Sequence, residues 1–540
     1  MSNQFEMVAK TFQGLENVLA KELTDLGAAE VTPGRRMVSF KGDLETLYKA
    51  NFCCRTALRI LKPFHKFIAT DTDSLYDMVK DFDWESVLSL NKTFSIDSVV
   101  NSDEFTHSRF VTYRVKDAIV DWFKDKYGPD KRPVVSVTDP DVIINVHVSG
   151  DRVTLSLDSS GESLHKRGYR EAQTEAPINE VLAAGIILIT GWNGDRPFVD
   201  PMCGSGTFLV EAALIAANIN PGVYRKSFAF QQWPDYDAEL FEKIYNDDSG
   251  EREITVPIIG ADISPKAVEI ARRNVRGAGM TKNIELEVKP ISQWTEAPAN
   301  GILVTNPPYG ERITSDDMEG LYNTLGNRLK NVFKGYEAWV IGYKKEYFAA
   351  IGLSPSAKIP LLNGSLECEL QEYIIFEGAM SDFRKSGGSL RKEEHASSGH
   401  VAAKRRISDV EWKAKARREG FGGKDSRGKD KFGKGKDKSG KSFRRGERGS
   451  FGDDRSFGKK PGFGRKSGFG SHREESRQDR FASRSGDRRE EFARERELVS
   501  ENPLAARRNE FALKSIKHKT PSLPPQEGPL MRSRGWKKKN

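Results

Sequence analysis

Asn306-Pro307-Pro308-Tyr309 carries the residue types needed to act on an amino group attached to an aromatic ring. Such a nitrogen is a poor nucleophile because its lone pair is delocalised into the ring. The side-chain oxygen of Asn306 and the carbonyl of Pro307 can accept its two N–H groups and draw the lone pair toward an incoming methyl group. Pro307 and Pro308 restrict the loop and reduce the entropy lost in holding it. Tyr309 offers a flat face for a base taken out of its stack. A plainer reading is a Pro-Pro turn ending a strand, with Tyr309 as a rim aromatic. The motifs upstream weigh against it.

Those motifs provide a place for a nucleotide-like ligand. Phe198-Val199 reads as a buried strand, and Asp200-Pro201-Met202-Cys203-Gly204-Ser205-Gly206-Thr207 turns from it into a helix. At such a turn the first N–H groups of the helix face outward. Gly204 and Gly206 lack a β-carbon, so a ligand can approach the main chain closely. Asp200 stands where it can hold a cationic amino group. Glycine also serves tight turns for structural reasons alone. Gly260-Ala261-Asp262-Ile263-Ser264 ends the next strand with an acid able to accept two hydrogen bonds from ribose hydroxyls. In dinucleotide folds that acid lies about 20 residues past the glycines; here an insertion containing Gln231–Gly250 intervenes. A helix cap is the competing reading of Asp262, although Ser264-Pro265 supplies a cap of its own. The three motifs in this order are more specific than any one of them.

Positioning these loops requires a particular rhythm of elements. Phe198-Val199, Ile258-Ile259, Ile284–Val288, Ile302-Leu303-Val304 and Ala338–Ile341 are apolar strand candidates, separated by helical stretches such as Phe208–Asn218 and Pro265–Val275. That alternation predicts a parallel sheet with helices on both faces. Residues 1–160 differ. Leu15, Val18, Leu19 and Leu23 share one helical face. Met37–Phe40 and Thr93–Val99 read as strands, Asp117–Phe123 as helix, and Val142–Val148 with Val153–Leu157 as a hairpin around Ser149-Gly150-Asp151. This is mixed α+β, ferredoxin-like at its start. From about residue 380 Gly, Ser, Lys, Arg, Asp and Glu dominate, a composition that cannot offset a chain entropy of ~1–2 kcal/mol per residue. Disorder is expected there, with a transient helix at most over Glu490–Ser500.

Charge divides the chain in the same place. Residues 1–380 hold 41 basic and 54 acidic residues, a net of −13, whereas 381–540 hold 45 and 23, a net of +22. The overall +9 is a property of the tail. Cys53, Cys54, Cys203 and Cys368 are too few and scattered for a disulfide framework, and the eight histidines form no metal-ligand spacing. Met1–Lys10 lacks a basic leader followed by an apolar stretch, and the apolar run Val181–Ile189 falls far short of the ~20 residues that span a bilayer. The expectation is a cytoplasmic protein without metal, membrane association or obligate protein partner.

The sequence resembles the THUMP-containing class I RNA methyltransferases, most closely the bacterial large-subunit rRNA guanine-N2 methyltransferases, over about residues 1–378. The resemblance rests on Ser163-Leu164-His165-Lys166-Arg167-Gly168-Tyr169-Arg170, Ala176-Pro177-Ile178-Asn179-Glu180-Val181-Leu182-Ala183-Ala184, Asp200–Thr207, Gly260-Ala261-Asp262 and Thr305–Arg312. It implies an α/β, Rossmann-like methyltransferase domain (176–378) behind an α+β region. That region comprises a ferredoxin-like part (1–44) and an RNA-gripping THUMP domain (45–157), joined to the catalytic part by a linker (158–175). A disordered basic tail (379–540) follows. It further implies contacts to S-adenosyl-L-methionine from Asp200, Met202, Cys203, Gly204, Gly206, Thr207, Asp262 and Ile263, and recognition of the amino group by Asn306, Pro307, Pro308 and Tyr309. Some relatives carry an acid after the next strand to meet the adenine amino group; Lys289-Pro290-Ile291 stands there instead. Others continue into a second methyltransferase domain. Here the basic tail follows, so a single activity is expected.

Lys166, Arg167 and Arg170 bracket Tyr169 in the linker and suggest phosphate contacts with base or sugar packing; a solvated basic linker is the alternative. The tail suits salt-sensitive, nonspecific RNA binding or mere solubilisation. The expected reaction is methyl transfer to guanine N2 in 23S rRNA, free or in a precursor particle. Guanine N2 in tRNA, adenine N6 in nucleic acid, or an RNA-binding assembly factor with a vestigial catalytic core are the alternatives.

Overall fold

The computed structural model describes residues 4–309, 315–376 and 378. The tail, with the helix considered at Glu490–Ser500, lies outside the described residues, as do Gly310, Glu311 and Arg312.

The N-terminal half is built on one eight-stranded sheet. Its first elements are β1 (Phe5–Lys10), α1 (Glu16–Asp25), β2 (Ala29–Gly34), β3 (Met37–Gly42), α2 (Leu44–Cys53) and β4 (Arg59–Ile68). Then come α3 (Thr72–Lys80), β5 (Thr93–Asn101), α4 (Ser108–Tyr127), β6 (Val134–Val135), β7 (Val142–Ser149) and β8 (Arg152–Asp158). The strand order is β2-β3-β1-β4-β8-β7-β5-β6. Antiparallel pairing of β4 with β8 joins the ferredoxin-like part to the segment after it. The β7–β8 hairpin closes Ser149 opposite Arg152, where the polar-apolar pattern places it. A division at 44/45 falls at the first residue of α2, and β4 then returns to pair with β1.

The C-terminal half contains α5 (Glu180–Thr190), β9 (Phe198–Asp200), α6 (Thr207–Ala216), α7 (Ala238–Asn246), β10 (Ile258–Asp262), α8 (Pro265–Gly277) and β11 (Ile284–Val288). It continues with β12 (Ile302–Thr305), α9 (Ser315–Asn331), β13 (Glu337–Gly342), α10 (Lys345–Ala350), β14 (Ala357–Asn363) and β15 (Leu366–Ile374). The seven strands run β11-β10-β9-β12-β13-β15-β14. The first five are parallel and β15 is antiparallel to both neighbours. β9 and β12 are buried along their whole length, as strands covered on both faces must be.

The halves pack against each other at α1 and at α2, among other places. Leu15, at the head of α1, lies against α5, where a β-carbon on Gly185 would come within 2.5 Å of the Leu15 side chain. On α2, Tyr48 stacks on Phe230 at 4.5 Å and meets Phe241 edge-on at 5.8 Å, while Phe52 lies 5.6 Å from Tyr245. Phe230, Phe241 and Tyr245 belong to the insertion between α6 and β10. The stretch that separates the glycine turn from Asp262 is thus the seat of the N-terminal half.

Candidate active site

Strand order reverses at β9, with β10 on one side and β12 on the other. In open α/β sheets the crevice beyond the strand ends at such a point receives ligands. Asp200, Asp262 and the loop beginning at Asn306 occupy the C-terminal ends of these three strands.

Asp200 is 1% exposed, and its Oδ1 accepts the Thr305 hydroxyl at 2.8 Å and the Met202 N–H at 3.1 Å. Burial pushes its carboxyl up to about 7, against the pull of those two hydrogen bonds. Asp262 accepts the Gly204 N–H at 3.0 Å through Oδ2 and the Ser264 N–H at 2.9 Å through Oδ1. Ser264 caps α8 by accepting the Ala267 N–H at 3.3 Å. The competing reading of Asp262 is thereby resolved: it braces the glycine turn, and the serine caps the helix.

The two glycines do different work. Gly204 has φ +51° and open space where a β-carbon would lie, with nothing within 4 Å. Gly206 has φ +78°, but its missing β-carbon would sit 3.1 Å from Ala271 of α8. Gly206 therefore permits close packing of α6 on α8. Cys203 is buried and its N–H donates to the Ala261 carbonyl at 2.9 Å; burial pushes the thiol well up, which suits packing and not nucleophilic attack. Met202 is half-buried in the core, and Ile263 is 71% exposed at the rim, a free apolar face. Thr207 turns its hydroxyl away from the crevice to Arg170, at 2.9 Å, leaving its main chain at the first helical position. Lys289 lies over Trp294 at 4.8 Å and pairs with Glu287 at 3.5 Å.

Asn306 follows Thr305, so the Thr305–Asp200 hydrogen bond ties its loop to the strand that leads into the glycine turn. The Asn306 Oδ1 is buried and has no hydrogen-bond partner among the described residues. A buried amide oxygen left without a donor costs about 1–3 kcal/mol, so its retention points to a ligand donor. Pro307 is buried and Pro308 exposed. Tyr309 is half-buried: its hydroxyl accepts the Asn363 amide N–H at 3.1 Å, and its ring meets Tyr343 edge-on at 5.4 Å. The hairpin of β14 and β15 thus sets the attitude of the Tyr309 ring.

The linker residues expected on the RNA surface are placed otherwise. Arg167 is 2% exposed, donating to the Leu164 and Arg55 carbonyls beside Glu211, and Tyr169 is 1% exposed with its hydroxyl on Glu211 at 3.0 Å. Both are withdrawn from any RNA contact, because the linker runs between packed elements and not over the surface. Arg170 donates to Ser205 and Thr207 in the glycine turn. Lys166 alone of the four is exposed, paired with Glu162 at 2.6 Å. Thr305, Ser205, Asn274 and Asn363 brace the site without a signal in the sequence: Thr305 and Ser205 lie inside the motifs, but nothing in their types marks them as braces.

A reversing parallel sheet, a glycine turn held by an acid on the neighbouring strand, and an Asn-Pro-Pro-Tyr loop beside them define a Rossmann-like methyltransferase. Family models agree, matching an RMKL-like methyltransferase domain over residues 167–372, a THUMP domain over 69–158 and an RlmL ferredoxin-like domain over 6–61. The chain belongs to the THUMP-containing, RMKL-like methyltransferases. It is 38% identical over 371 residues to a provisionally named RNA methyltransferase of Synechocystis, covering 68% of this chain and 96% of that protein. It is 39% identical over 390 residues to the ribosomal RNA large subunit methyltransferase K/L of Syntrophotalea carbinolica, covering 70% of this chain and 54% of the relative. The chain therefore spans about half the length of its K/L relatives. The crystal structure of SMU.472, provisionally a methyltransferase and complexed with SAH, superposes with a TM-score of 0.64 at 34% identity, covering 70% of this chain and 100% of that one.

Proposed function

We propose that the protein transfers a methyl group from S-adenosyl-L-methionine to the exocyclic N2 amino group of a guanine in large-subunit (23S) ribosomal RNA. The observation that carries the reading is the buried Asn306 Oδ1, without a partner among the described residues and one residue from the Thr305–Asp200 hydrogen bond. The THUMP match and the names of the relatives support RNA as substrate.

When bound, the cofactor supplies a methyl already activated by a positively charged sulfur. Gly204 leaves the main chain open to it, Asp262 offers acceptors for ribose hydroxyls, Ile263 an apolar face and Asp200 a carboxylate for an amino group. Asn306 Oδ1 and the Pro307 carbonyl accept the N–H groups of the target amine, and Tyr309 stacks on the base. Holding reactants in line accounts for up to ~7–11 kcal/mol of a barrier in favourable cases.

Asn306→Ala should lower kcat about 10²–10³-fold, the effect of removing one preorganised polar contact, while S-adenosylhomocysteine binding stays near wild type. Equal loss of turnover and cofactor affinity would contradict the role of Asn306. Substrate identity is tested by mass spectrometry of separated rRNA and tRNA from a strain lacking the gene, where one N2-methylguanosine should be missing from large-subunit rRNA. A missing N6-methyladenosine, or a change confined to tRNA, would replace this substrate with the alternative.

A further inference from the structure

The linker between the two halves reaches into the cofactor turn. The Arg170 guanidinium donates to Ser205 Oγ at 3.0 Å, to Thr207 Oγ1 at 2.9 Å and to the Ile178 carbonyl at 3.4 Å, and its Nε donates to Glu180 Oε1 at 2.6 Å. Ser205 and Thr207 are each 3% exposed and Glu180 5%, so these hydroxyls and this carboxylate sit inside the fold. The next two linker residues are held as well. Asn274 of α8, 1% exposed, accepts the N–H groups of Glu171 and Ala172 at 3.0 and 3.1 Å, and donates to the Ala172 and Ser205 carbonyls, both at 2.9 Å. Packing leaves no slack, since a β-carbon on Gly277 would come within 2.3 Å of the Tyr169 carbonyl oxygen.

Ser205 is thus gripped twice, through its hydroxyl by Arg170 of the linker and through its carbonyl by Asn274 of α8, which also holds the linker backbone. It lies between Gly204, where a ligand can approach, and Gly206, which opens α6. A planar guanidinium spreads its donors over three nitrogens in fixed directions and so holds two hydroxyls and a carboxylate together; the three donors of an ammonium radiate from one point and do not reproduce that span. We propose that Arg170 is a positioning residue of the cofactor site: the interdomain linker fixes the conformation of the Gly204–Thr207 turn through it. The proposal rests on the reading of that turn as the S-adenosyl-L-methionine site. It gives the linker a role in cofactor affinity and removes Arg170 from the RNA contacts.

The test uses the full chain and S-adenosylhomocysteine titrated by calorimetry, with steady-state kinetics alongside. Arg170→Lys keeps the charge beside Glu180 but not the fork. The double variant Arg170→Gln/Glu180→Gln leaves no isolated buried charge, and Ser205→Ala removes one tie without touching the ion pair; thermal melts identify any variant that fails to fold. Folded variants of Arg170 should bind S-adenosylhomocysteine about tenfold more weakly, ~1.4 kcal/mol, and raise KM for S-adenosyl-L-methionine with kcat largely kept. Ser205→Ala should shift both in the same direction by less, and RNA affinity should not change. Wild-type cofactor affinity in the folded variants overturns the proposal. So does a loss of RNA affinity with cofactor affinity intact, which would return Arg170 to the RNA surface. Failure of the wild-type chain itself to bind S-adenosylhomocysteine would refute the underlying site assignment, a result distinct from either.

Discussion

Asp200 is the residue whose environment makes the strongest claim on pH. An ordinary aspartate ionises near ~3.9, whereas here burial lifts the group to about 7. Between those values the folded chain keeps a proton that the unfolded chain has released, so stability falls as pH rises from the unfolded value to about 7 and levels off above it. Asp200→Asn should therefore flatten the decline of melting temperature between about pH 4 and 7. A cationic amino group bound beside Asp200 reverses the preference by favouring its charged form. Cofactor affinity should rise as pH increases through about 7 and binding below that should release a proton, both lost in Asp200→Asn; calorimetry in buffers of different ionisation enthalpy measures this. Equal pH slopes in the two proteins would remove Asp200 from cofactor recognition. The placement of Asp200 and Asn306 at strand ends was legible in the sequence, because apolar runs lead into both. The burial of Arg167 and Tyr169 was not, since nothing local to a basic linker shows that other elements will cover it.

The glycine turn is the element whose parts the structure separates. Both glycines sit at positive φ, which costs a residue with a side chain roughly 1–2 kcal/mol. Beyond that shared strain, a methyl at position 206 presses on Ala271 of α8, whereas a methyl at 204 meets no protein atom. Gly206→Ala should lower the melting temperature more than Gly204→Ala, and Gly204→Ala should weaken S-adenosylhomocysteine binding more than its stability loss explains. Parallel melts and titrations decide it; the opposite ranking would mean that the ligand lies elsewhere. Sequence pattern located the turn but could not tell a glycine that admits a ligand from one that admits a helix, because the difference is made by α8, some sixty residues further along.

At the scale of the molecule, the N-terminal half is seated on the catalytic half through aromatic rings. Phe241, 6% exposed, touches Tyr48, Phe52, Phe228 and Phe230. Its truncation to alanine should cost about 3–5 kcal/mol, as for other buried phenylalanines, and weaken the attachment of α2 to the insertion. Calorimetry should show a lowered and broadened, or divided, unfolding transition; an unchanged midpoint would show the contact to be dispensable. The net −13 of residues 1–380 also means that an RNA must meet local groups of cations, since the average field of this part repels it.

The sequence alone determined the α/β rhythm and the order of the three motifs along it, because strand burial and turn formation depend on residue types a few positions apart. Tertiary structure decided what lies between them: the insertion as a seat for α2, Asp262 as a brace on Gly204, and a linker arginine turned inward onto Ser205 and Thr207. Each of these joins residues far apart along the chain, and hydrogen bonds and close packing between such residues exist only once the sheet has brought them together.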